Sequence, residues 1–304
     1  MDNVATGVLV ESNVVEVHVD GASAGITVQG DGNPEYRVCA DQACSMVRLD
    51  WGSTAAVLQA SGYVQLRLFS SPLGSAAHTA TVMAGNVATD WTVSTGVAVT
   101  FLGFAATAAD SPFTFPDQSL GTPVPGRLIA VMVHTSTNGN TAISGVTVGG
   151  VSGVKVISVH ENQGAGAPTA LFIVDAPLVS GADVVVQTSG SVGLRCAVGI
   201  WSLQGLQSSA PVDTATYDGP DPGALNVDVP AGGVVLGALT KNSSMGATAT
   251  WSGPEPQYGG VINEGTGTLY SGAHAFLAQS QTGYVVTTAG GPSGTNRSVV
   301  ASFR

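Results

Sequence analysis

At 304 residues the chain is long enough for two domains, each with its own core. Hydrophobic residues make up 44%, charged residues 10% and aromatics 6%, with 41 glycines and only two lysines, Lys155 and Lys241. This mix favours short strands and turns over helices, and the net charge of −11 excludes a nucleic-acid backbone as partner.

Residues 1–10, MDNVATGVLV, are expected to form an N-terminal arm. They open with an acid and lack a basic stretch before an apolar core, so no signal peptide is expected. VVEVHV (14–19) alternates, with Val15, Val17 and Val19 opposite Glu16 and His18, as a half-buried strand does. GDGNPEY (30–36) reads as a turn, then EYRVC and SMVRLDW as strands. GYVQLRLFSS (62–71) sets Val64, Leu66 and Leu68 against Tyr63, Gln65, Arg67 and Phe69. HTATVMAG, the turn GNVAT and DWTVSTG complete a series of strands at short spacing, which suggests a β-sandwich. Trp91 to Ala109 carries no charge and approaches spanning length. Its threonines, alternating valines and flanking Asp90 and Asp110 predict instead two strands meeting at a domain boundary, between about 94 and 112.

The order GNPEYRVCADQAC, WGSTAAVLQASGYVQLRLFSS and HTATVMAGNVATDWTVST resembles a small immunoglobulin-like module found in bacterial surface proteins and in proteins of phages and prophages. The resemblance implies an Ig-like β-sandwich over 11–97 with a structural or display role and no chemistry of its own.

From 98 to 304, strands are legible in RLIAVMVHT (127–135), GVKVISVH (153–160), TALFIVDAP (169–177), ADVVVQTSG (182–190), LRCAVGIWSLQG (194–205) and GALNVDVPAGGVVLGALT (223–240). TATWSG (248–253) and SVVASFR (298–304) follow. They fit a single large jelly-roll-like β-sandwich domain. CAVGIWSLQGL, VDVPAGGVVLGAL and the closing VVASFR resemble C-terminal halves of uncharacterised phage virion proteins. No repeat of 20–50 residues is expected. The fold class is all-β.

Cys39 and Cys44 flank ADQA. Neither has a histidine at ligand spacing, which argues against zinc, and nothing places a base beside either thiol. A hairpin remains, with Cys39 ending one strand and Cys44 beginning the next, facing each other at a distance a disulfide can bridge. Cys196 alternates with Leu194, Val198 and Ile200 and reads as a buried small hydrophobe. The five histidines, 18, 78, 134, 160 and 274, form no ligand pattern and are expected mostly at solvent-facing positions. Asp218 and Asp221 share YDGPDPG, where a plain turn is the expected reading over calcium.

TWSGPEPQYGG (250–260) and TLYSGAHAF (268–276) place Trp251, Tyr258, Tyr270 and His274 in Gly/Pro-rich surroundings. Rings in such loops can stack on sugars, and the same rings can instead cap the core or an oligomer interface. The four are the candidate glycan contacts.

These features together predict a phage virion structural protein on the particle surface: a capsid decoration, head spike or fibre, or tail component. It would be made in the host cytoplasm and would contact other virion proteins and copies of itself, as a homotrimer through the C-terminal domain. Catalytic residues, cofactor, metal and membrane insertion are not expected. The alternative is a bacterial surface or secreted adhesin with a carbohydrate-binding module.

Overall fold

The computed structural model describes all residues except 3, 20–22, 60, 109–110, 138, 165, 176–177, 191–192, 243–247, 263–267 and 291–293. Among the described residues the regular structure is all strand, in six antiparallel sheets, and the chain divides into two compact units, Met1–Gly96 and Val97–Arg304. Among the described residues no helix is long and apolar enough to cross a membrane.

The first unit begins with β1 (Leu9–Glu11), β2 (Val15–Val17) and β3 (Ala24–Gly30). β4 (Glu35–Cys39), β5 (Val47–Gly52) and β6 (Ala56–Leu58) follow, then β7 (Gly62–Phe69), β8 (Ala77–Ala84) and β9 (Val87–Ser94). One sheet runs β1-β7-β4-β5 with β2 also on β7, and the other runs β6-β3-β8-β9. The alternation of β7 decides its orientation: Val64, Leu66 and Leu68 are buried, and Val64 and Leu66 pack with Ile26, Tyr36, Val38 and Leu58. Residues 1–10 do not stand off as an arm. The Met1 nitrogen donates to Thr92 O at 2.7 Å, Val4 bridges Thr95 in parallel, and β1 pairs with β7. An extended segment lying on a sheet edge satisfies its backbone groups and half-buries Val4 and Val10, which a free arm would leave in water.

The second unit holds two sandwiches where one was expected. The first contains β10 (Ala98–Thr107), β11 (Phe113–Ser119), β12 (Leu128–Thr137), β13 (Thr141–Val148) and β14 (Val151–Ser152). β15 (Val154–Val159), β16 (Thr169–Val174), β17 (Gly181–Gly190) and β18 (Gly193–Gln204) complete it. The second contains β19 (Asp213–Gly219), β20 (Gly223–Val229), β21 (Gly233–Asn242) and β22 (Thr250–Ser252). β23 (Glu255–Ile262), β24 (Thr268–Leu277), β25 (Gln281–Ala289) and β26 (Asn296–Phe303) close the chain.

The two sandwiches repeat one topology. The sheet β10-β18-β12-β16-β15 has its counterpart in β19-β26-β21-β24-β23, and β11-β17-β13 in β20-β25-β22. Once the strands are matched, the sequences show it too. VVVQTSG (184–190) lies 100 residues before YVVTTAG (284–290), and RCAVGIW (195–201) corresponds to RSVVASF (297–303). The period is longer than the 20–50 residues over which solenoid repeats are sought.

The sandwiches pack through their five-stranded sheets, so the unit is four layers deep. Phe113, Val131, Phe172 and Val198 fill the space between the first two layers. Met132, Leu171, Trp201, Leu236 and Phe303 fill the middle, and Leu225, Val235, Val286 and Val300 the last. The contacts of β10 with β23 and of β15 with β19 are equivalent under exchange of the sandwiches, as in a dimer with a two-fold axis. A central sheet covered on both faces explains why β16 is buried at every position. The outer strand β20 instead alternates, with Leu225, Val227 and Val229 in and Ala224, Asn226 and Asp228 out.

Candidate functional site

The four candidate glycan-contact residues lie on strands, not on loops: Trp251 on β22, Tyr258 on β23, Tyr270 and His274 on β24. Their side chains serve the interior. Tyr270 is fully buried, and Trp251, Tyr258 and His274 are half-buried. Tyr258 lies between the central sheets, 4.6 Å from the Phe104 ring, 5.6 Å from Phe101 and 5.7 Å from Trp201. Two glycines make room for it: a Cβ on Gly199 or on Gly272 would overlap its ring. Trp251 faces the other way, over Gly237, and its Nε1 donates to Ser271 Oγ at 2.8 Å. The Ser271 hydroxyl in turn donates to Tyr258 O at 2.7 Å. Large rings need a gap in a sheet's side-chain layer, and glycines on neighbouring strands supply it, so the rings turned inward. At the surface, the Tyr258 segment lines a cleft of about 340 Å³ with Thr248, Ala249, Pro256, Gln257, Gly259 and Ser271.

Three of the histidines also depart from expectation. His134 ends the apolar run of β12 and is fully buried between the central sheets. Its Nε2 meets the Tyr258 hydroxyl at 2.6 Å and its Nδ1 the Thr240 hydroxyl at 2.8 Å. A neutral imidazole serves both, donating through one ring nitrogen and accepting through the other. Burial pushes its pKa down to about 3. His274 accepts from Trp201 Nε1 at 3.2 Å, and burial lowers its pKa against the opposing pull of Glu255. The buried Tyr258 and Tyr270 hydroxyls are shifted upward for the same reason. Thr169 donates to Thr240 at 2.6 Å and closes this polar centre. His160 places Nδ1 2.7 Å from Asp218.

Asp218 lies on β19, opposite Arg297 in the ladder, and not in the plain turn expected of it, because pairing with β26 carries the strand through Gly219. Asp221 does sit in the β19–β20 connection. Asp218 pairs with His160 and, at 3.4 Å, with Arg297. Asp221 pairs with the fully buried Lys241 and accepts from the Gly290 N–H and the Asn296 amide, both at 2.9 Å. Burial alone would raise the Asp221 carboxyl, but these hydrogen bonds outweigh it and hold the group low. Arg127 is likewise inside, donating to the carbonyls of Leu120 at 2.8 Å and Val179 at 2.9 Å. Sequence reasoning missed His134, Arg127, Lys241 and Arg297. The available signal was position, since a histidine or lysine ending a continuous apolar run sits where both sheet faces are covered.

In the first unit Cys39 and Cys44 form a disulfide with Cα atoms 5.1 Å apart. They do not face each other across two strands. Cys39 ends β4 opposite Val47, whereas Cys44 sits in the turn at φ +53°. Asp41 tightens that turn, its carboxylate accepting from the N–H of Ser45 and Met46 at 3.1 and 2.9 Å, which lowers its pKa. Ala40 N donates to Met46 O, so the loop is longer than ADQA. Cys196 is a free, buried thiol within the first sandwich core, its pKa raised by burial. Among the described residues no three His, Cys, Asp or Glu side chains gather as metal ligands. In comparisons with known proteins, no family model matches the chain and no curated protein matches it.

Proposed function

We propose that this chain is a non-enzymatic structural protein carried on the surface of a tailed-phage particle, as a capsid decoration, spike, fibre or tail component. The observation that carries the proposal is where the polar side chains go. His134, Arg127, Lys241, Arg297, Asp218 and Asp221 are engaged by their own chain across strands and layers, as scaffold residues. The resemblance of residues 11–97 to an Ig-like display module supports the same reading.

The strand order supports a jelly-roll-like assignment for both C-terminal sandwiches. Leaving out β14, one sheet runs first, eighth, third, sixth and fifth and the other second, seventh and fourth. All but the fifth strand follow the order of two interlocked Greek keys, and the fifth sits beside the sixth instead of beside the fourth. Other virion proteins are the expected partners, with self-association as a trimer through the second unit. A host-surface glycan, in this proposal, falls to the cleft beside Tyr258 and Gln257, because the rings of Trp251, Tyr270 and His274 are engaged inside.

Mass spectrometry of purified particles with immunogold labelling tests the proposal. Signal on intact particles is the expected result, and absence from them under infection would refute it. Light scattering should give a trimer at micromolar concentration, and a monomer would remove the self-assembly part. Glycan binding unchanged by Gln257→Ala would remove the cleft from it.

A further inference from the structure

The first unit has an unfilled place in one sheet. β9 pairs with β8 on one side only, from Val87 opposite Ala84 to Ser94 opposite Ala77. The other edge of β9 is covered along its second half by the chain's first residues: Met1 N donates to Thr92 O, Ser94 N to Met1 O, and Val4 N to Ser94 O. Thr92 and Ser94 therefore turn their backbone groups outward. By the period of the strand, Ala88 and Asp90 turn theirs outward in the same row. Among the described residues nothing pairs with that half of the edge, Val87–Trp91.

Behind it the two sheets stand apart. A cleft of about 460 Å³ opens between β2 and β9, with Ile26, Val64, Leu66 and Val82 on its floor and Trp91 on its wall. Val15 and Val87 point towards the space between the sheets, yet they are 53% and 68% exposed. Inward-facing valines that remain in water mark a missing strand. Glu16 and Asp90 line the rim.

We propose that this seam takes an extended segment of another protein as an added strand, with apolar side chains at alternate positions and a lysine or arginine between them. Its backbone would pair with Ala88 and Asp90, continuing the row that Met1 and Val4 already occupy. Its apolar side chains would enter the cleft, and its cation would meet Glu16 and Asp90. A second copy fits less well, because two such seams face to face would oppose Glu16 and Asp90 with their own counterparts. The seam's chemistry does not depend on the virion assignment.

The probe is a short capped peptide alternating valine with lysine or threonine, added to the full chain and followed by amide hydrogen exchange. Added protection at Ala88 and Asp90 is expected. Ala88→Pro, which removes an outward N–H without touching the β8 ladder, should weaken binding about tenfold. Should that variant fail to fold, Asp90→Lys should weaken the lysine peptide and favour a glutamate version. Three results would overturn the assignment: no protection at Ala88 and Asp90, equal binding of a scrambled peptide of the same composition, or a dimer that Ala88→Pro abolishes.

Discussion

The two units use charged residues in opposite ways. In the first, the three arginines lie on the sandwich surface: Arg67 pairs with Glu35 at side-chain exposures of 24% and 35%, and Arg37 and Arg67 flank the Trp51 ring at 4.7 and 4.5 Å. In the second, Arg127, Arg195, Lys241 and Arg297 are all buried. The difference follows from layering. A two-layer sandwich gives every strand one wet face, where a charge needs no partner. A four-layer unit has central sheets whose inner strands have no wet face, so each charge buried there must be matched from within the chain.

The sharpest way to break this contrast is Asp221→Ala, which leaves the Lys241 ammonium and the Asn296 amide without their carboxylate. A loss of about 3–5 kcal/mol is expected, read as faster native-state hydrogen exchange in β21 and β26 with β7 unchanged. Equal loss in both units would mean that the second unit is not the one relying on buried pairs.

Acid should separate the units next. His134 is neutral when folded down to about pH 3 but takes a proton near pH 6.5 when unfolded. The unfolded state therefore binds the extra proton, and stability is lost as pH falls through that window. The expected cost is about 1.4 kcal/mol per pH unit, or about 3 kcal/mol between pH 6.5 and 4. Asp221, held low, adds its own loss only at more acid pH. Urea midpoints for the second unit should carry this slope, and His134→Leu should reduce it to the smaller part that the His274 imidazole, also lowered by burial, contributes.

A smaller effect sharpens the comparison inside the second unit. Gly199→Ala puts a methyl into the Tyr258 ring, at about 1–3 kcal/mol. In a Tyr258→Ala background the same change should cost far less, a coupling that a double-mutant cycle reads directly. The smallest effect belongs to the first unit: Glu35→Gln should cost about 1 kcal/mol or less, because the Arg67 pair is half in water. A larger loss would show that the first unit also leans on ion pairs.

Much of the fold was legible in the residues. Alternation in GYVQLRLF marked a strand with one buried face, and the scarcity of helix formers marked the class. Asp221 stood out as a turn residue, whereas Asp218, read the same way, belongs to β19, and the cationic partners of both did not stand out. Lys241 and Arg297 come from strands distant in sequence, and no local pattern says which carboxylate a lysine will meet.

What the sequence determined by itself is therefore local: strand periodicity, turn chemistry and the burial of Cys196 on its strand face. Tertiary structure alone decided that residues 98–304 make two sandwiches packed back to back, that Cys44 lies in a turn, and that the Tyr258, Tyr270 and His274 side chains face the central layers. The reason is physical. Period two states which side chains share a face, and a continuous apolar run states that both faces are covered. Neither states what covers them, because that is set by packing between strands far apart in the chain.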